Sequence, residues 1–235
     1  MKCEEILGIT LAQGAPLLRQ DVFGKVLGAV HSYNSAVSQE MRIGITLPGA
    51  RPSTGERQAD RSTRDYAFLG NSMYLFAAEN VLKDFLLRRD VKFLLNLQSP
   101  GEIVAPPGVF PVAKRLSRNR GFAVFRRERS YEKSGPAAAR RMLERRIRRA
   151  EQGKTTLSDE EAARILKEVS ERHMAYDGTG MTRVHKVPHL PVQSSSTGQS
   201  YALVISKEDA AELHHGDVNS YGLGCGENPA ALPLF

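Results

Sequence analysis

The sequence predicts an α+β protein: an N-terminal ferredoxin-like domain followed by a smaller C-terminal α/β domain that carries an arginine-rich helix. Two patterns predict it. In the first part of the chain, strand-like and helix-like apolar spacings follow one another in the order β-α-β-β-α-β, the order of a ferredoxin-like unit. Further on, a dense run of arginine falls on a helical repeat and is followed by short strand patterns among Ser, Gly and Pro. These divide the chain into a domain over 1–100, an irregular linker over 101–120 and a second domain over 121–235.

Taken in order, residues 5–11 (EILGITL) read as a strand. Pro16 to about Tyr33 reads as a helix, because Leu17, Leu18, Val22, Val26, Leu27 and Val30 recur at helical spacing. RIGITLP (42–48) is a second strand, ended by Pro48-Gly49. Residues 50–64 are polar, with Pro and Gly, and read as a loop. DYAFLG (65–70) is read as the third strand, and Asn71 as the cap of a helix to about Arg89 with Leu75, Ala78, Leu82, Phe85 and Leu86 on one face. VKFLLNL (91–97) is read as the fourth strand. Residues 102–116 are Pro-rich and irregular, and GFAVFRR (121–127) is a strand. Ser134-Gly135-Pro136 then leads into the arginine helix, which Gln152-Gly153 breaks. On that helix Arg141, Arg145 and Arg148 share one side, while Ala139, Leu143 and Ala150, with Ile147 close by, lie on the other. Ser158 and Glu161 form a capping box for the next helix, and YALVIS (201–206) is a strand.

The charge is placed as well as abundant. The net charge is +7, and the segment from Arg126 to Arg149, with ten Arg or Lys against three Glu, carries an excess equal to that of the whole chain. A mixed charge run is ordinarily a solvated face. Here nine of the ten cations are arginine, whose planar fork suits phosphate oxygens and guanine edges, whereas lysine would serve solubility. The segment therefore points to a polyanion partner. There is no secretory signal pattern at the N-terminus and no apolar run of membrane-spanning length. Cys3 and Cys225 form no paired-cysteine motif, which fits a reducing, cytoplasmic setting.

No phosphate-binding glycine loop or magnesium-holding acidic cluster is present in the sequence. His185 and His189 have helical metal-pair spacing, but Pro188 between them argues against such a pair. His31 follows the apolar face of the first helix near its end, where a lone histidine is most often structural. RNA, however, brings its own nucleophile. Metal-free cleavage needs a base near the 2′-OH, groups that hold that hydroxyl in line, and a basic cradle. An arginine helix, a hydroxyl-rich loop (193-QSSSTGQSYALVIS-206) and candidate histidines are a coherent set for that reaction.

A family resemblance runs through the same residues. STGQSYALVI followed by SYGLG and a terminal Phe235, together with VFGKV and VHSYN (22–34), RIGITLP, GEIVAPP (101–107), FRRERS (125–130), the arginine helix and LSDEEA (157–162), resembles the CRISPR RNA-processing endoribonucleases of type I-F, the Csy-four or Cas-six-f proteins. The shared order of short blocks over most of the chain carries the resemblance. It implies that His31 is the catalytic histidine, that Ser194 positions the 2′-OH, that Ser196 is a supporting hydroxyl, and that Tyr221 orients the histidine. It implies that Tyr201, where well-known members have Phe, stacks under the last base pair of an RNA hairpin. The base-reading motif corresponds to Arg127-Glu128-Arg129, with arginine in place of the family's glutamine at its end; Arg141, Arg145 and Arg148 match the groove contacts best. The spacing between FGKV and His31 is longer than the family's, and relatives occur in transposon-encoded and type IV systems.

The resemblance implies an endoribonuclease that needs no metal or other cofactor. It would bind the stem-loop of a CRISPR repeat transcript, cut at its 3′ base to leave a 2′,3′-cyclic phosphate and a 5′-OH, and stay on the crRNA among the other Cas subunits of an effector complex, with no membrane involved. Two other readings stand beside it. One is a non-catalytic subunit that caps a guide RNA and needs no working His31. The other is a general basic RNA-binding protein without preference for hairpins.

Overall fold

A computed structural model describes residues 3–11, 16–52, 68–96, 108–128, 187–193 and 200–235, with single positions and short runs between 144 and 167. The predicted α+β class is observed: two four-stranded antiparallel sheets with helices. The first sheet comprises β1 (Glu5–Thr10), β2 (Gly44–Thr46), β3 (Ser72–Ala77) and β4 (Val109–Pro111), in the order β2-β3-β1-β4. Helix α1 (Pro16–Ala36) joins β1 to β2, and α2 (Glu79–Leu87) follows β3. The first half thus runs β-α-β-β-α, then a further short helix, then β4, where the sequence pattern predicts β-α-β-β-α-β.

Three of those elements, the third strand, the second helix and the fourth strand, sit elsewhere than the sequence pattern puts them. The third strand is Ser72–Ala77, not 65–70. Asn71 precedes that strand, and the residue before α2 is Ala78, which makes no side-chain cap. The reason lies in burial. β3 is interior in the sheet, so Met73, Leu75 and Ala77 and the intervening Tyr74 and Phe76 are all buried. A strand apolar on both faces loses its alternation, and Leu75 then falls by coincidence on the spacing of Leu82 and Phe85. Residues 93–96 form a short helix, α3 (Phe93–Asn96), with Val91 and Leu94 buried; the fourth strand is Val109–Pro111, within the stretch read as linker.

The second sheet has the order β6-β7-β5-β8, from β5 (Phe122–Arg127), β6 (His189–Gln193), β7 (Ser200–Ala210) and β8 (Leu232–Pro233). β7 is longer than the predicted YALVIS strand, and β6 and β8 were not anticipated. Pro188 and Pro191 hide β6 in the sequence. It is an edge strand, where a missing N–H is tolerated.

Helix α1 lies between the sheets, and one apolar cluster takes in Leu7 and Ile9 of the first, Val26 and Val30 of α1, and Phe125, Leu203 and Ile205 of the second. Close approach to β6 requires a glycine: a Cβ on Gly24 would fall 2.7 Å from the Pro191 carbonyl oxygen. The opposite face of the first sheet is covered by the C-terminal segment, where the Phe235 ring lies 6.3 Å from Phe76 and 5.8 Å from Tyr74.

Candidate functional site

His31 lies on α1 seven residues after Gly24, about 20° away around the helix at 100° per residue. The helix face that touches β6 therefore also carries the imidazole. One turn later, buried Asn34 ties α1 to the start of β2. Its Nδ2 donates to the Ile43 carbonyl and its Oδ1 accepts from the Ile43 N–H, both at 2.9 Å.

The loop 219–224 is held by the same strand. The Ile45 N–H donates to the Gly222 carbonyl at 2.8 Å. Gly222 has φ +75, and a Cβ there would lie 2.7 Å from the Ile43 oxygen, so neither conformation nor space suits another residue. Asn219 shapes the turn: its Oδ1 accepts from the Tyr221 N–H at 2.8 Å and from the Leu223 N–H at 3.3 Å. The outcome is a parallel stack of His31 on Tyr221, centroids 4.3 Å apart and planes within 5°. Tyr221 is buried and His31 half-buried.

Arg127 and Tyr201 complete the cluster. Along β5, Ala123, Phe125 and Arg127 alternate onto one face, and Ala123 and Phe125 belong to the core shared with Leu203 and Ile205. Arg127 therefore ends an inward row, whereas Arg126 faces out toward Glu208 at 3.7 Å. The Arg127 guanidinium lies 5.2 Å from the Tyr221 ring centre and 5.6 Å from that of Tyr201, in cation–π range. The Tyr201 and Tyr221 hydroxyls are hydrogen-bonded to each other. His31, Tyr221, Arg127 and Tyr201, which come from α1, a loop, β5 and β7, thus form one connected group.

That group disfavours the charged form of the imidazole. Desolvation by burial lowers the His31 pKa, and the positive charge of Arg127 lowers it further. The Nδ1 atom is buried and has no hydrogen-bond partner.

Other predicted site residues fall elsewhere. Ser194, Ser196, Arg129, Arg141 and Arg145 lie outside the described residues. Gln193 and Ser200, which flank the serine-rich segment, pair across β6 and β7, and Tyr201 follows at once. Arg148 is exposed in a helical stretch, residues 147–150, where Ile147 is also 40% exposed rather than packed as the helical wheel implied. Gly153 at φ +66 ends that stretch, its N–H donating to the Ala150 carbonyl at 2.9 Å. The predicted cap is present, with the Glu161 N–H donating to Ser158 Oγ at 3.1 Å. His189 is in β6. Among the described residues no helix is long and apolar enough to cross a membrane, and no group of three or more His, Cys, Asp or Glu is placed to hold a metal ion.

Sequence reasoning missed the supports, Asn34 and Asn219. The signals were present: an asparagine one turn past His31 in VHSYN, and one two residues before the tyrosine of NSYGLG. No curated protein matches the sequence. The family model described as CRISPR-associated protein (Cas_Csy4) matches residues 7–235.

Proposed function

Because the chain belongs to the CRISPR-associated Cas_Csy4 family, whose members process CRISPR RNA, we propose that it binds the stem-loop of a CRISPR repeat transcript and cleaves it at the 3′ base. The observation that carries the proposal is a half-buried imidazole backed by a parallel tyrosine, with its pKa lowered by burial and a guanidinium. A neutral imidazole is the form a general base needs.

In this reading the imidazole of His31 takes the 2′-OH proton. The 2′ oxygen attacks the adjacent phosphorus, the bond to the 5′ oxygen breaks, and the leaving oxygen takes up a proton from water. The products are a 2′,3′-cyclic phosphate and a 5′-OH. Ser194 holds the attacking hydroxyl, with Ser196 in support; both lie just before Tyr201 in the chain. Tyr201 is the floor on which the last base pair stacks. Arg129, Arg141, Arg145 and Arg148 grip the hairpin, and Arg127 reaches it from the margin of the site. The part over 1–100 supplies the base, and the part over 121–235 holds the RNA. The cut hairpin remains bound, and the protein joins the other Cas subunits on the crRNA.

The test is cleavage of labelled repeat hairpins with EDTA in excess, wild type beside His31→Ala. One hairpin cut at its 3′ base by the wild type only, with similar binding by both proteins, supports the reading. Tight binding with no cleavage by either protein would replace it with a non-catalytic cap on a guide RNA. Loss of binding in His31→Ala would make His31 a structural residue.

A further inference from the structure

Tyr201 carries a hydroxyl as well as a ring. A stacking floor needs only the ring. The added oxygen is hydrogen-bonded to the hydroxyl of Tyr221, whose ring lies parallel to His31 at 4.3 Å. The Arg127 guanidinium spans both tyrosine rings, 5.6 Å from one and 5.2 Å from the other. We infer that Tyr201 is a positioning residue for His31: its hydroxyl fixes the ring of Tyr221, which in turn fixes the imidazole, so that RNA seated on Tyr201 is coupled to the base. This rests on the reading of His31 as the base and of Tyr201 as the floor.

The geometry gives each contact a separate task. Tyr221 is held at its backbone by Asn219 and by the β2 contact of Gly222, but those bonds leave its ring free to turn about its side-chain torsions. A parallel stack offers little resistance to sliding. The hydroxyl bond to Tyr201 pins the far end of the ring. Tyr201 is itself fixed in β7, where it pairs with Val192 of β6, the strand against which Gly24 sets α1. The path from floor to base thus runs through one hydrogen bond and one ring stack, and each of its ends stands on a strand or helix of the core.

Tyr201→Phe tests this directly, because it keeps the ring and removes only the hydroxyl. Two measurements apply. The first is single-turnover cleavage at saturating hairpin, beside the equilibrium Kd. The expected result is a rate about tenfold lower with Kd changed less than about twofold, from the loss of one part-buried hydrogen bond. The second is NMR titration of the His31 ring in the RNA-free protein. With Tyr221 released, the pKa of His31 rises toward the ordinary histidine value, a shift that a general loss of stability would not produce. Wild-type rate and wild-type titration in Tyr201→Phe would overturn the inference. So would a weakened Kd with an unchanged rate, which would assign the hydroxyl to the RNA. If wild type itself does not cleave, the functional reading fails while the titration still decides whether the hydroxyl sets the environment of His31.

Discussion

Asn34→Ala removes the side chain that binds α1 to β2 one turn beyond His31. The side chain is fully buried and makes two bonds with a single residue, donating to the Ile43 carbonyl and accepting from the Ile43 N–H at 2.9 Å each. Alanine leaves the Ile43 N–H without that acceptor. A net hydrogen bond contributes about 1 kcal/mol and an orphaned buried group costs about 1–3 kcal/mol, which together give a loss of about 2–4 kcal/mol. In a chain of this size each kcal/mol lowers Tm by about 2–4 °C, so Asn34→Ala melts about 10 °C lower. Asn34→Asp sharpens the test. A carboxylate still accepts from the Ile43 N–H but cannot donate, and it sets negative charge against the Ile43 carbonyl. Burial and that carbonyl raise its pKa above the unfolded value. The sign follows: stability of Asn34→Asp, relative to wild type, is recovered as the pH falls and the acid can donate, and is lost as the pH rises through the folded pKa. Urea unfolding of the three proteins over a pH series measures both effects. A loss below about 1 kcal/mol in Asn34→Ala, or an Asn34→Asp deficit that does not change with pH, would refute the two-bond account.

Three further outcomes follow from the same contacts. Gly24→Ala, whose Cβ would meet the Pro191 oxygen at 2.7 Å, destabilises by about 1–3 kcal/mol, whereas Gly28→Ala, with nothing within 4 Å, stabilises by about 0.5–1 kcal/mol; thermal melts of the pair show opposite signs. Gly222→Ala forces φ +75 on a residue with a Cβ and crowds Ile43, so single-turnover cleavage falls more than hairpin affinity does, read by rate against Kd. His31 has a pKa lowered first by burial and then by Arg127, so its neutral form persists to lower pH than in an ordinary histidine. The cleavage rate therefore falls only on the acid side of the ordinary value. Over that interval the unfolded chain binds a proton that the folded one does not, so stability drops with falling pH, and His31→Phe reduces the slope in a pH series of unfolding curves.

The readable parts of this chain are those whose signal is local. The helix of His31 announced itself by the spacing of Val22, Val26, Leu27 and Val30, all buried as expected, and Gly153 and the Ser158–Glu161 cap stood where short-range chemistry put them. Tyr201 and Tyr221 were singled out by motif and meet at the site. What local signal does not show depends on where a strand sits in its sheet. β3 lost its alternation because both its faces are covered, and β6 was hidden by Pro188 and Pro191, which only an edge position permits.

β6 bears most on function. Without that strand the histidine and the serine-rich segment belong to separate stretches of chain with no stated relation. With it, Gly24 brings α1 against Pro191, and Val192 pairs with Tyr201. The contact that packs the helix is thus one residue along β6 and one strand pairing from the proposed floor for the RNA. His31 comes from the first half of the chain and its three ring and guanidinium partners from the second, so the site exists only when both halves are folded against α1. An imidazole assembled this way has its ring stacked and its pKa lowered through packing between the two sheets, and substitutions at Gly24 or Asn34 reach it by moving the helix rather than by altering its chemistry.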